Sequence, residues 1–180
     1  DNYNYLNDIV PLKGQITDLG CGYGYVPYLL GFVSSDRKIL GIDYDENKIK
    51  TAKNCFSKNE NIDFIHTSIL EWEPIKSDVF LLIDVLHYLP FEKQNAILKK
   101  CYNNLNKDGV IIIKDADAAS MNKHKITKIT EFISTKFGFN KVDSDNLFFF
   151  NIDLLKSFSD ENNLDFKILK QSKATSNQVI

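Results

Sequence analysis

The sequence predicts an α/β fold: a doubly wound, mostly parallel seven-stranded sheet with helices on both faces, its last strand antiparallel and cut short. Three observations lead there. Apolar runs of period two alternate with runs of helical period along most of the 180 residues, as parallel βαβ units require. A glycine-rich turn, Gly20-Cys21-Gly22-Tyr23-Gly24, joins the first strand to the first crossover helix. An acidic residue, Asp43, ends the second strand nineteen positions after Gly24.

Each element follows in turn. Residues 2 to 9 finish an incoming helix, and Gln15-Ile16-Thr17-Asp18-Leu19 alternates as the first strand, near 14 to 19. The run from Val26 to Val33 reads as a helix over 24 to 34, and Lys38-Ile39-Leu40-Gly41-Ile42-Asp43 as the second strand. A helix over 45 to 58, strands over 61 to 66 and 79 to 84, and a helix over 91 to 105 come next. Asn106-Lys107-Asp108-Gly109 is a helix stop signal, and the fifth strand occupies 109 to 115. Met121 to Phe137 reads as a helix, with Ile126, Ile129, Ile133 and Phe137 at helical spacing. Residues 138 to 150 are irregular and aromatic, 152 to 162 helical, Asp165 to Lys170 a sixth strand, and the last residues begin a seventh. One helix suffices to cross from the fifth strand to the sixth, so residues 117 to 150 are surplus. An insertion at the carboxyl end of a strand lies over the ligand crevice, which makes this segment the expected substrate lid.

The chain is expected to be one domain over 1 to 180 and long enough to bury its own core. With 22 basic and 24 acidic side chains there is no global field toward nucleic acid. Cys21, Cys55 and Cys101 form no C-x-x-C pair, which fits a reducing compartment and argues against a metal site. No stretch approaches 18 consecutive apolar residues, and no signal peptide is visible, so a cytoplasmic location is expected. The start at Asp1 and the end within a strand pattern suggest a piece of a longer protein.

The glycine turn defines the ligand class. Glycines at 20, 22 and 24 let the backbone turn sharply and approach a ligand without a Cβ in the way. Asp43, at the end of the second strand, stands where a carboxylate accepts from two ribose hydroxyls. A dinucleotide fingerprint needs G-x-G-x-x-G, but the sixth position from Gly20 is Tyr25, which disfavours an NAD-dependent oxidoreductase. The spacing is G-x-G-x-G, with Asp18 two residues before the first glycine. S-adenosylmethionine has an ammonium and a carboxylate in place of a phosphate, and Asp18 can meet the ammonium.

The motifs DLGCGYG (Asp18 to Gly24), GIDYD (Gly41 to Asp45), VFLLIDVLHYL (Val79 to Leu89) and KDGVIIIKDAD (Lys107 to Asp117) resemble the successive motifs of class I S-adenosylmethionine-dependent methyltransferases, a Rossmann-like family. The resemblance runs over roughly residues 13 to 117. It implies S-adenosylmethionine as cofactor and S-adenosylhomocysteine as product. Asp18, Gly20, Cys21, Gly22, Gly24, Asp43 and Tyr44 are the expected cofactor residues. The family commonly has an aspartate for the adenine amino group after the third strand; here Ser68, followed by Ile69, takes that place. Asp84 is implied at the methionine end of the cofactor; as a local feature it also suits a helix N-cap. Asp84-Val85-Leu86-His87 lacks the N/D-P-P-Y/F turn of adenine and glutamine methylating enzymes, which argues against a DNA or protein-amide substrate.

Methyl transfer needs alignment and, for a protic acceptor, a base. His87, one turn beyond the sheet's carboxyl edge, is a candidate catalytic base; the resemblance implies that a histidine is frequent there, often with a structural role instead. His124, amid Lys123, Lys125 and Lys128, is either a base or anion site or part of a solvated basic face. His66 reads as a strand-end residue, and Asp115 and Asp117 as base, anchor or loop caps. Cys21 invites a covalent reading, yet its place inside the turn favours packing. Phe132, Phe137, Phe139, Phe148, Phe149 and Phe150 make the surplus segment aromatic, which suits an apolar or lipid-like acceptor or, equally, a core or dimer surface.

Lys123 to Phe132, Ser134 to Lys141 and Lys173 to Asn177 also resemble the methyltransferase module at the carboxyl end of trifunctional proteins, which join an RND-type (MMPL) lipid exporter and a lysophospholipid acyltransferase to it. Ile126 stands where that resemblance expects glycine. It implies a cytoplasmic domain tethered to a membrane and acting on a lipid-like or polyene acyl product. An alternative from another class is a non-catalytic module that binds S-adenosylmethionine or S-adenosylhomocysteine and regulates its neighbours. The acceptor atom stays open among oxygen, nitrogen and carbon.

Overall fold

A computed structural model of the chain describes residues 3, 5–55, 60–116, 148, 151–170 and 177–179. The helix expected at 121 to 137, His124, Asp117, and the aromatic segment apart from Phe148 lie outside these residues, as do the stretches resembling the exporter-fused modules. The chain divides into two compact units, residues 1–83 with 95–113, and residues 84–94 with 114–180.

The first unit holds most of the sheet. Helix α1 (Leu6–Ile9) precedes β1 (Gly14–Leu19), α2 (Tyr25–Val33), β2 (Arg37–Asp43), α3 (Glu46–Lys53), β3 (Ile62–His66) and β4 (Ser77–Ile83). Strand β1 pairs in parallel with β2 and with β4, and β2 pairs in parallel with β3. Helix α4 (Phe91–Asn103) begins in the second unit and continues in the first, and β5 (Leu105–Ala116) begins in the first and ends in the second. Hydrogen-bonded neighbours run β3-β2-β1-β4-β5-β7-β6, with β6 at Leu169–Lys170 and β7 at Asn177–Val179. Strand β7 is antiparallel to β5 and to β6.

This order reverses direction between β1 and β4. Right-handed crossovers then put α2 and α3 on one face and α4 on the other. The reversal also opens a crevice beyond the carboxyl ends of β1 and β4. Val79, Phe80, Leu81 and Leu82 are all fully buried, which is what a central strand covered on both faces requires.

Two local features anchor the first unit. Arg37, fully buried at the start of β2, donates from Nε to Pro11 O (2.8 Å), from Nη2 to Val10 O (2.8 Å), and from Nη1 to Leu30 O (2.8 Å) and Asn7 Oδ1 (3.1 Å). It thereby ties α1 and the coil after it to the end of α2. Asp45 caps α3 by accepting from the Asn47 and Lys48 amides at 2.9 and 3.2 Å.

The structure bears out the predicted fold class and shifts some boundaries. Strand β5 begins at Leu105, the last residue of the expected helix, and runs through the stretch read as a helix stop, with Asp108 at φ 63° marking the bend there. A Cβ on Gly109 would come within 2.9 Å of the Asn106 and Asp78 carbonyl oxygens, so the signal serves a tight backbone approach. The sixth strand is two residues long where six were expected. Its neighbour β7 has only three residues, so little ladder is available to hold it. In the second unit, α5 (Ile152–Glu161) is capped by Asn151, whose Oδ1 accepts from the Asp153 amide at 2.8 Å.

Candidate active site

In the first unit the turn after β1 is built by positive φ and by the end of β2. Gly20, Gly22 and Gly24 have φ of 82°, 55° and 79°, which residues with a Cβ rarely adopt. The amides of Gly20 and Cys21 both donate to Ile42 O, at 2.8 and 2.9 Å, and Gly24 N–H closes the turn on Cys21 O at 3.0 Å. Around Gly22 a Cβ would meet nothing within 4 Å, so the outer face of the turn is open. Gly24 is packed instead: a Cβ there would lie 2.7 Å from Phe64 Cζ.

Asp43 joins the two motifs. Its Oδ2 accepts from Gly22 N–H at 2.9 Å and its Oδ1 from Asp45 N–H at 2.9 Å. An ionised carboxylate offers about four acceptor positions, so two remain for a pair of hydroxyls. Tyr44, next to it, is 47% exposed, and burial of its hydroxyl, then the nearby Asp43 and Asp45, raises its pKa. His66 Nε2 lies 2.9 Å from Tyr44 O, so His66 steadies this turn from the end of β3.

Asp18 is the unusual group. It is 2% exposed, and its carboxyl has no hydrogen-bond or ion-pair partner among the described residues. Burial, then repulsion from Asp43, pushes its pKa up to about 7. A buried acid with no donor among the described residues suits a ligand that brings its own cation. Together with the open Gly22 face and the spare acceptor positions of Asp43, it fits the ammonium and ribose of S-adenosylmethionine.

The other expected positions are more ordinary. Burial, with Asp18 and Asp43 nearby, pushes the Cys21 thiol far up, consistent with packing and not with a thiolate nucleophile. Cys21 Sγ would lie 2.9 Å from a Cβ on Gly41. Ser68 Oγ accepts from Leu70 N–H at 3.2 Å, and Ile69 is buried. Ser68 thus shapes its own turn while its hydroxyl proton can still be donated.

In the second unit, consecutive residues of β5 hold the segment after β4. Asp84, in the left-handed region at φ 52°, donates its amide to Lys114 O at 2.7 Å and accepts from Lys114 Nζ at 2.8 Å. His87 lies in a one-turn 3₁₀ helix, Leu86–Tyr88. Its Nδ1 is 2.6 Å from Asp115 Oδ1, and its amide donates to Asp115 Oδ2 at 3.2 Å. A carboxylate only accepts, so neutral His87 carries its proton on Nδ1 and a lone pair on Nε2. Nε2 has no hydrogen-bond partner among the described residues.

The structure thus brings Asp18, the three glycines and Asp43 together in one unit, and pairs His87 with Asp115 in the other. Sequence reasoning missed Lys114. The signal was a lysine at the end of the apolar run Val110 to Ile113, where a fully buried ammonium needs an acid. Gln94, 5% exposed at the start of α4, was missed as well. Among the described residues no group of three or more His, Cys, Asp or Glu side chains is placed to hold a metal ion. No helix among them is long and apolar enough to cross a membrane.

A family model described as a methyltransferase domain, Methyltransf_31, matches residues 13–171. The chain belongs to this family, the class I S-adenosylmethionine-dependent methyltransferases, as the four motifs led us to expect. Among curated proteins it is similar to a carboxy-S-adenosyl-L-methionine synthase of Campylobacter jejuni subsp. jejuni serotype O:6, 26% identical over 144 residues. That match covers 78% of this chain and 61% of the relative, so the chain spans about three fifths of the relative's length. Among solved structures, a methyltransferase of calicheamicin biosynthesis in its S-adenosylhomocysteine-bound form superposes with a TM-score of 0.72. It is 15% identical, covering 97% of this chain and 50% of that one. An O-methyltransferase of neocarzinostatin biosynthesis gives 0.69 at 17% identity, covering 99% of this chain and 51% of that one. At these identities the likenesses show the shared fold.

Proposed function

We propose that this domain transfers a methyl group from S-adenosylmethionine to a small apolar or lipid-like acceptor. The observation that carries the proposal is Asp18, buried with no donor among the described residues, beside an open glycine turn that Asp43 holds in place. When bound, S-adenosylmethionine supplies a methyl group activated on its sulfonium, the sulfur keeping the bonding pair as S-adenosylhomocysteine forms. Asp18 receives the amino-acid ammonium, Asp43 the ribose hydroxyls, Tyr44 covers a flat face of the nucleoside, and Ser68 and Ile69 border the adenine. Asp84 is the proposed residue at the methionine end. The name of the Campylobacter relative points to an adenosyl sulfonium as the molecule handled, which supports the same ligand class.

For the acceptor, the His87–Asp115 pair favours a hydroxyl, because a lone pair held on Nε2 can take the proton that an oxygen acceptor must lose. The resemblance of residues 123–141 to exporter-fused modules adds a lipid-like or polyene acyl product and a membrane tether as part of the proposal.

Calorimetry with S-adenosylhomocysteine tests the cofactor half. Wild type should bind, and Asp43→Ala should bind about tenfold to a hundredfold more weakly, the worth of a charge-assisted hydrogen bond. Equal affinities would overturn the placement. Methyl-labelled S-adenosylmethionine incubated with a total lipid extract tests the acceptor half. Label in a lipid supports it, whereas tight S-adenosylhomocysteine binding with no transfer would identify a non-catalytic module.

A further inference from the structure

The turn that carries His87 is held by a side chain outside the acid–histidine pair. Gln94 Nε2 lies within hydrogen-bond distance of three main-chain oxygens, Leu86 O at 3.1 Å, Leu89 O at 2.9 Å and Phe148 O at 2.8 Å. One amide nitrogen has two hydrogens, so the three acceptors share them. Residue 148 is bonded from both sides, because its own N–H donates to His87 O at 2.9 Å. The Phe148 ring also meets the Phe91 ring edge-on, with centroids 5.9 Å apart. Within the 3₁₀ turn Leu86 O already accepts from Leu89 N–H at 2.9 Å; Gln94 adds a second donor there and bonds Leu89 O just beyond the turn, while Phe148 N–H serves His87 O.

We infer that Gln94 is a positioning residue for His87, coupling the seat of Phe148 on this turn to the orientation of the imidazole. The inference rests on the proposed role of His87 as a base. Asp115 sets which nitrogen carries the proton; Gln94 keeps the backbone of Leu86, His87 and Leu89 where the 2.6 Å contact to Asp115 can be made. Few side chains can replace it. Glutamate has nearly the same shape but only accepts when ionised, leucine offers no donor, and asparagine is one methylene too short to reach all three oxygens.

The test is a long-range proton–nitrogen NMR spectrum of the imidazoles in the full chain, which has His66, His87 and His124. The His87 signal is identified by its absence in His87→Gln. Wild-type His87 should show a proton fixed on Nδ1 and a lone pair on Nε2. In Gln94→Leu and Gln94→Glu that signature should move toward a mixture of tautomers, and the Phe148 amide should exchange with solvent at least about tenfold faster. S-adenosylhomocysteine affinity should stay close to wild type, and the melting temperature should fall by only a few degrees with a single cooperative transition kept, which separates loss of positioning from loss of fold. Where either variant fails to fold, Gln94→Asn gives the same readout. An unchanged His87 tautomer and unchanged Phe148 protection in the folded variants would overturn the inference. Failure of wild type to bind S-adenosylhomocysteine would remove the methyl-transfer reading, while the link from Gln94 to His87 would still be decided by the spectra.

Discussion

Asp18→Asn should stabilise the ligand-free protein at pH 8 and at the same time weaken S-adenosylhomocysteine binding. The carboxyl has a pKa of about 7 in the folded chain against an ordinary 3.8, so the folded state holds the proton more tightly than the unfolded one. Stability therefore falls as pH rises from about 4 to about 7, and the full penalty is present above that window. The shift corresponds to on the order of 4 kcal/mol at most. Asparagine removes the buried charge but leaves a buried amide, so the gain is expected to be smaller than this ceiling. Thermal melts should show the variant ahead of wild type at pH 8 and level with it near pH 4. In calorimetry the variant should lose about tenfold to a hundredfold in affinity, having no charge to offer the ammonium. An asparagine variant that is less stable at pH 8, or that binds as tightly as wild type, would contradict this account of Asp18.

Arg37→Met should be the most destabilising single change in the first unit. It removes a guanidinium whose donors serve the carbonyls of Val10 and Leu30 in buried bonds, and the Pro11 carbonyl and the side chain of Asn7 in partly buried ones. Leaving the two buried acceptors without donors costs about 1 to 3 kcal/mol each, offset in part because a charge is no longer desolvated. The net is on the order of 3 kcal/mol, or about 10 °C in melting temperature for a chain of this size. Arg37→Lys should fall between the two, since a lysine keeps the charge but loses the planar fork that reaches four oxygens. The effect should be on stability alone. A melting temperature unchanged in Arg37→Met would show that the N-terminal segment is not held as described.

Much of this was legible from the sequence because it depends on short-range pattern. The period-two run at Gln15 to Leu19, the glycines that follow and the acid at 43 specify a strand, a turn and an acceptor whose spacing is fixed by one crossover. What could not be read depends on register between distant segments. Lys114 faces Asp84 and Asp115 faces His87 because neighbouring residues of a strand point to opposite sides. Nothing in either segment alone reveals that alignment. Gln94 is a further case: a polar residue in the first turn of an amphipathic helix normally faces water, and only the carbonyls of a bent segment and of Phe148 explain its burial. The late start expected for β5 erred for a similar reason, since Asn106 to Gly109 has turn chemistry whether it ends a helix or bends the chain into a strand. The sixth strand was overestimated because alternation signals an extended chain but not a partner, and a three-residue neighbour cannot pair six.

The central claim is that the carboxyl of Asp18 receives the amino-acid ammonium of the cofactor. Titrating wild type with S-adenosylhomocysteine at pH 6 in buffers of different ionisation enthalpy tests it directly. At that pH the free carboxyl is mostly protonated, and pairing with the ammonium requires it to ionise. The account predicts release of close to one proton per ligand bound, with affinity falling about tenfold for each further pH unit, and no such release in Asp18→Asn. Tight binding at pH 6 with no proton released by wild type would contradict it.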